Sequence, residues 1–186
     1  MELKQTIVLT GFMGSGKTAV GRMLAACIDK PFRDLDKVIE DGERRTISDI
    51  FKTEGEALFR TLERQYLEQV LKFQPLVLAL GGGALQQQAV IRLVQQNGIM
   101  VYLNVPQEVL VQRLIGDKNR PLLRNAEGKF LDEPELRKRV CSMLNEREPL
   151  YRQADVTLNI EYHWTVRKTT NELIKILSTH APAAIS

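Results

Sequence analysis

Two hydrophobic periods take turns along this chain. Short apolar runs, such as Ile7-Val8-Leu9, Leu76-Val77-Leu78-Ala79-Leu80 and Ile99-Met100-Val101-Tyr102-Leu103, fit strands buried on both faces. The stretches between them place apolar residues every three or four positions, as amphipathic helices do. The pattern predicts strands near 5–10, 32–34, 76–80, 99–103 and 155–160. It predicts helices near 17–29, 36–41, 47–54, 56–72, 86–96, 134–147 and 164–179, and another with Pro106 at its N1 position. The helix from 134 is expected to stop before Pro149, since proline lacks an amide donor. Gly116, Asp117, Asn119, Pro121, Asn125 and Gly128 break both periods, so residues 116–131 read as a loop, and 181–186 read as a frayed tail. Strands alternating with helices imply an α/β fold with a parallel sheet covered on both faces. No repeat or linker divides the 186 residues, which suit a single domain.

The strand at 5–10 runs directly into Gly11-Phe12-Met13-Gly14-Ser15-Gly16-Lys17-Thr18, which satisfies G-x-x-x-x-G-K-[ST] at every position. Strand, glycine-rich turn and helix in this order make a phosphate cradle. Backbone amides of Gly14, Ser15, Gly16, Lys17, Thr18 and Ala19 can curl around phosphate oxygens at a helix N-terminus. Lys17 can reach the β- and γ-phosphates, and the Thr18 hydroxyl can ligate Mg²⁺. A plain glycine-rich turn with an exposed lysine is the alternative. The motif and its context favour a site for a nucleoside triphosphate.

Composition narrows the remaining classes. A net charge of +3 suits an anionic substrate but comes without a basic run or an aromatic platform, so no nucleic-acid partner is expected. No apolar run approaches the ~20 residues of a membrane helix, and the N-terminus leads straight into a strand without room for a signal peptide. A cytoplasmic monomer is expected. Cys27 and Cys141 are read as two buried helical thiols, since neither a C-x-x-C pair nor a disulfide framework is present.

Strand 76–80 ends in Gly81-Gly82-Gly83 and supplies no carboxylate for a metal. Asp34-Leu35-Asp36, after strand 32–34, can supply one beside the phosphate loop. Extended alternation would put both carboxylates on one side, one toward Mg²⁺ and one toward an acceptor hydroxyl; a solvated helix cap explains them equally well. Gly55 opens the segment Gly55-Glu56-Ala57-Leu58-Phe59-Arg60, where Arg60 can face a substrate or pair with Glu63 on its own helix. The triple glycine allows a ligand to approach the backbone closely. Arg120, in the loop, and Arg147, near a helix end, are candidate anion ligands or surface charges.

Taken together, these motifs closely resemble the shikimate kinase family. The matching set is the phosphate loop, Asp34-x-Asp36, Ile50-Phe51 with Gly55-Glu56, Phe59-Arg60-x-x-Glu63, Gly81-Gly82-Gly83, Arg120-Pro121-Leu122-Leu123 and Arg147-x-Pro149-Leu150-Tyr151, over about residues 5–160. The resemblance implies a three-layer α/β/α P-loop kinase fold with strand order 2-3-1-4-5. It further implies a substrate-binding helical segment near 34–63, a lid near 116–131, and transfer of the γ-phosphoryl of ATP to the 3-hydroxyl of shikimate, with Mg²⁺. In this reading Thr18 and Asp34 hold the metal, Asp34 through water. Asp36 binds the shikimate hydroxyls and is the candidate base. Arg60 and Arg147 bind its carboxylate beside Gly81, Gly82 and Gly83, with Gly82 making a backbone contact. Lys17 and Arg120 act on the triphosphate. A gluconate-type kinase and a non-catalytic nucleotide-binding module are the rival readings.

The chain departs from the family pattern at two places. Arg44 stands where the family usually has glycine, and Glu161-Tyr162-His163-Trp164 replaces the usual small, polar or basic loop near the adenine. His163 or Trp164 can stack on a base, or serve as a surface histidine and a packing residue.

Overall fold

The structure, a computed structural model, describes residues 5–73, 75–117, 121–124 and 129–180. The predicted tail at 181–186 and Arg120 lie outside the described residues. Strands β1 (Thr6–Thr10), β2 (Phe32–Asp34), β3 (Val77–Ala79), β4 (Gly98–Asn104) and β5 (Val156–Asn159) form one parallel sheet in the order β2-β3-β1-β4-β5. This is the order implied by the family resemblance.

All five residues of β1 are buried. Side chains alternate across a strand, so both faces of the central strand lie under helices. The helices are α1 (Lys17–Cys27), α2 (Leu35–Glu43), α3 (Ile47–Val70), α4 (Gln88–Asn97), α5 (Gln107–Leu114), α6 (Glu133–Tyr151) and α7 (Val166–His180). Helix α1 packs on α7, α2 on α3, and α5 on α6. A continuous core runs through Leu9, Leu24, Leu67, Leu78, Val101 and Leu173. Among the described residues no helix is long and apolar enough to cross a membrane.

Several expectations need correction. Pro106 is the N-cap of α5, not N1: its ψ of 140° is extended, and its carbonyl accepts from the amides of Val109 and Leu110. Helix α6 runs through Pro149 to Tyr151. Proline there removes one amide donor, but the Arg152 amide still bonds the Glu148 carbonyl, and buried Tyr151 holds the turn by stacking on Tyr102 at 5.2 Å. Cys27 is exposed and Cys141 half-buried. The buried stripe of α1 runs through Val20, Gly21, Leu24 and Ala25 to Ile28, which leaves Cys27 at its edge.

Two described residues of the stretch 116–131 are anchored. Leu123 is buried, Leu131 packs on the core, and its amide donates to the Leu123 carbonyl at 3.2 Å. The two helices expected at 47–54 and 56–72 do meet at Gly55, whose φ of 82° and ψ of 179° are not helical, so α3 is two helical pieces joined by a kink.

Candidate active site

The phosphate loop links β1 to α1 as its spacing demands. Gly14 (φ 79°) and Gly16 (φ 91°) occupy left-handed backbone, which turns successive amides toward a common concavity. Gly16 is the N-cap of α1, so the positive end of the helix dipole faces the same space. Lys17 Nζ donates to the carbonyls of Gly11 at 2.8 Å and Phe12 at 3.0 Å. From the opposite side, Arg113 of α5 donates to the Gly14 carbonyl at 3.0 Å. That arginine joins the site from a helix whose sequence gives it no distinguishing signal.

Asp34 ends β2 and stands at the N-cap position of α2, yet its side chain makes no cap hydrogen bond. It accepts instead from Thr18 Oγ1 at 2.6 Å. A hydroxyl and a carboxylate beside a helix N-terminus fit Mg²⁺, a hard cation that takes one or two protein oxygens and completes its shell with water and phosphate. Among the described residues no group of three or more His, Cys, Asp or Glu side chains could hold a metal unaided.

Asp36 does not share a side with Asp34 by strand alternation, because α2 starts at Leu35 and the period changes from 2 to 3.6. It faces the triple glycine: a methyl group on Gly81 would lie 2.6 Å from Asp36 Oδ1 and 3.2 Å from Glu63 Oε1. The two acidic residues are thus divided between the phosphate loop and the turn after β3.

That turn joins the remaining groups. A methyl on Gly82 would lie 3.2 Å from the Met13 amide nitrogen of the phosphate loop, and one on Gly83 would lie 2.8 Å from Arg60 Nη2. The Gly82 carbonyl accepts from Arg147 Nη1 at 3.2 Å and from the Tyr151 hydroxyl at 2.5 Å. Burial pushes the Tyr151 phenol far above its ordinary value, so it stays a donor. Arg147 is buried and sits 6.0 Å from the ring centroid of Phe12. Its Nε has no hydrogen-bond partner among the described residues.

Arg60 projects from α3 toward this turn. Nη1 donates to Glu63 at 2.8 Å, Nη2 to Glu56 at 2.9 Å, and Nη2 to Gln86 at 3.2 Å. The helix pair with Glu63 therefore coexists with a position at the glycine turn. Glu63 is fully buried. Burial raises the pKa of its carboxyl above the ordinary value, Arg60 opposes that, and Asp36 adds to it.

Beyond the expected set, Glu63, Gln86, Gln87, Tyr151 and Arg113 all join this constellation. Glu63 and Tyr151 already stood in the matched motifs; the two glutamines lie in an undifferentiated Gln run. His163 is exposed, and Trp164 packs against the core with Lys168 Nζ 5.6 Å from its ring.

Comparison with known proteins agrees with this geometry. A shikimate kinase family model matches residues 13–178. The shikimate kinase of Chlorobium chlorochromatii is 39% identical over 178 residues, covering 94% of each chain. That of Salinibacter ruber is 39% identical over 179 residues, covering 96% of this chain and 87% of its own. The solved structure of the Acinetobacter baumannii shikimate kinase in complex with shikimate superposes with a TM-score of 0.84 at 37% identity, covering 98% of this chain and 96% of that one. The chain belongs to the shikimate kinase family.

Proposed function

We propose that the protein transfers the γ-phosphoryl group of ATP to the 3-hydroxyl of shikimate, giving shikimate 3-phosphate and ADP in the route to chorismate and the aromatic amino acids. One observation carries the reading. The Gly81-Gly82-Gly83 turn brings the phosphate loop, two acidic residues (Asp36 and Glu63) and two arginines around a single backbone that has no side chains to fill the space. A small acid with several hydroxyls matches that inventory.

The phosphate-loop amides of Gly14 to Ala19 bind the triphosphate, and Lys17 exchanges its loop carbonyls for phosphate oxygens. Thr18 and Asp34 would hold Mg²⁺, Asp34 through water; the metal, when bound, neutralises charge on the phosphates. Arg60 and Arg147 take the shikimate carboxylate, for which a planar guanidinium is suited. The backbone of Gly81 to Gly83, Gly82 above all, lines the acid. Asp36 orients the acceptor hydroxyl and receives its proton. Arg120 is assigned to the triphosphate, within a lid spanning 116–131, on the resemblance alone. Residues 34–63 form the substrate-binding segment of the one domain, and the protein works as a cytoplasmic monomer.

An ADP-release assay with shikimate, quinate and gluconate as acceptors tests the proposal. Turnover with shikimate well above that with the other two is expected. Preference for gluconate would favour the rival kinase, and ATP binding without transfer to any acceptor would favour a binding module.

A further inference from the structure

Gln87 occupies the N-cap position of α4, where Ser, Thr, Asp or Asn would satisfy the free helix amides. Its side chain makes no cap hydrogen bond. It reaches α3 instead, where Nε2 donates to the Arg60 carbonyl at 3.1 Å and to Glu63 Oε2 at 3.2 Å. Glu63 Oε2 also receives Arg60 Nη1 at 2.8 Å, while Oε1 has no hydrogen-bond partner among the described residues. One oxygen of a fully buried carboxylate therefore takes both donors, and the neutral donor comes from a residue that leaves its own helix uncapped.

We propose that Gln87 is a positioning residue for the substrate-carboxylate site, fixing the Arg60 guanidinium by holding both the backbone and the buried Glu63 partner of that arginine. The proposal rests on the reading that Arg60 binds the shikimate carboxylate. The other partners of Arg60 give weaker guidance: the Glu56 side chain is 63% exposed, and Gln86 is an exposed side chain. Without Gln87, the buried carboxylate keeps the Arg60 guanidinium as a donor, with Asp36 facing it from α2. The guanidinium then samples more orientations, and substrate binding must order it.

The test uses Gln87→Ser and Gln87→Met, each alone and combined with Arg60→Ala. Serine can cap α4 but cannot reach Glu63; methionine keeps the length and loses the donor. Both variants should raise KM for shikimate roughly three- to tenfold, the range of one hydrogen bond to a charged group or somewhat less. The KM for ATP and kcat should move by less than about twofold. Gln87→Ser regains an α4 cap that Gln87→Met lacks, so a rise in KM shared by both variants separates positioning from helix stability. In the Arg60→Ala background neither change should raise KM further.

An unchanged KM for shikimate in Gln87→Ser, with Arg60→Ala still impaired, overturns the role of Gln87 and leaves the reading of Arg60 intact. An equal rise with and without Arg60 overturns it too, because Gln87 would then act by another route. If Arg60→Ala itself leaves the KM for shikimate unchanged, the reading of the carboxylate site fails and the proposal falls with it.

Discussion

Thr18 Oγ1 donates to Asp34 Oδ2 at 2.6 Å, joining the first turn of α1 to the end of β2. Asp34 stands where a helix cap would be and leaves that task undone. The Thr18 oxygen is thereby fixed beside the phosphate loop. Asp34→Ala should raise the Mg²⁺ concentration for half-maximal activity about tenfold or more, as loss of an outer partner commonly does. Titration of activity with Mg²⁺ at saturating ATP and shikimate measures this. An unchanged Mg²⁺ requirement would remove Asp34 from the metal site.

Lys17 donates to two loop carbonyls, so its ammonium already lies within the loop that would hold the triphosphate. Lys17→Ala removes the positive partner of the transferring group and should lower kcat by at least ~10²-fold. Gly11 and Phe12 are buried, and their carbonyls lose a donor, so melting temperature should also fall by a few degrees. Steady-state kinetics with thermal melts on the same preparation separates loss of chemistry from loss of fold.

Arg60 and Arg147 flank one glycine turn but are supported differently. Arg60 is paired with two carboxylates, whereas Arg147 donates to the neutral Gly82 carbonyl. Either alanine variant should raise the KM for shikimate by roughly ten- to a hundredfold and that for ATP far less. Arg60→Ala should also destabilise the fold more, since it leaves Glu63 buried beside Asp36 without its cation. A larger rise in the KM for ATP would move these arginines to the nucleotide site.

The parts of this site that were legible in the sequence are those in which neighbours along the chain do the chemistry. The phosphate loop works through consecutive backbone amides, and Asp34 sits at a strand end where such sheets gather ligands. The contacts that stayed hidden join distant segments: Arg113 to Gly14, Tyr151 to Gly82, Gln87 to Glu63. No local period reports which side chain of a helix meets a turn across the sheet. The strand order likewise came from the family resemblance, since alternation of strand and helix specifies a parallel sheet but not its sequence of neighbours. Pro149 misled for a related reason: the packing of Tyr151 on Tyr102 outweighs a local breaker near a helix end.

Residues 34–63 contain two positive-φ positions that predict opposite responses to substitution. Arg44, the C-cap of α2, is exposed and left-handed at φ 56° and ψ 32°, so the turn keeps the geometry of the usual glycine without the residue that adopts it freely. A side chain there costs about 1–2 kcal/mol, and glycine gives back about 0.5–1 kcal/mol through the greater freedom of the unfolded chain. Arg44→Gly should therefore stabilise the protein by about 0.5 kcal/mol, or about 1–2 °C in Tm for a chain of this size. Gly55, at φ 82° and ψ 179°, occupies backbone that is essentially restricted to glycine, although a methyl group there would meet nothing within 4 Å. Gly55→Ala should cost about 1–3 kcal/mol from dihedral strain alone and lower Tm by several degrees. Because this bend separates Ile47 and its turn from Arg60, the same change should raise the KM for shikimate more than that for ATP. Calorimetric melts of both variants decide the matter. A Gly55→Ala protein as stable as the wild type would mean that the bend straightens into continuous helix, and a Tm lowered by Arg44→Gly would mean that the arginine side chain stabilises its turn by more than its backbone costs.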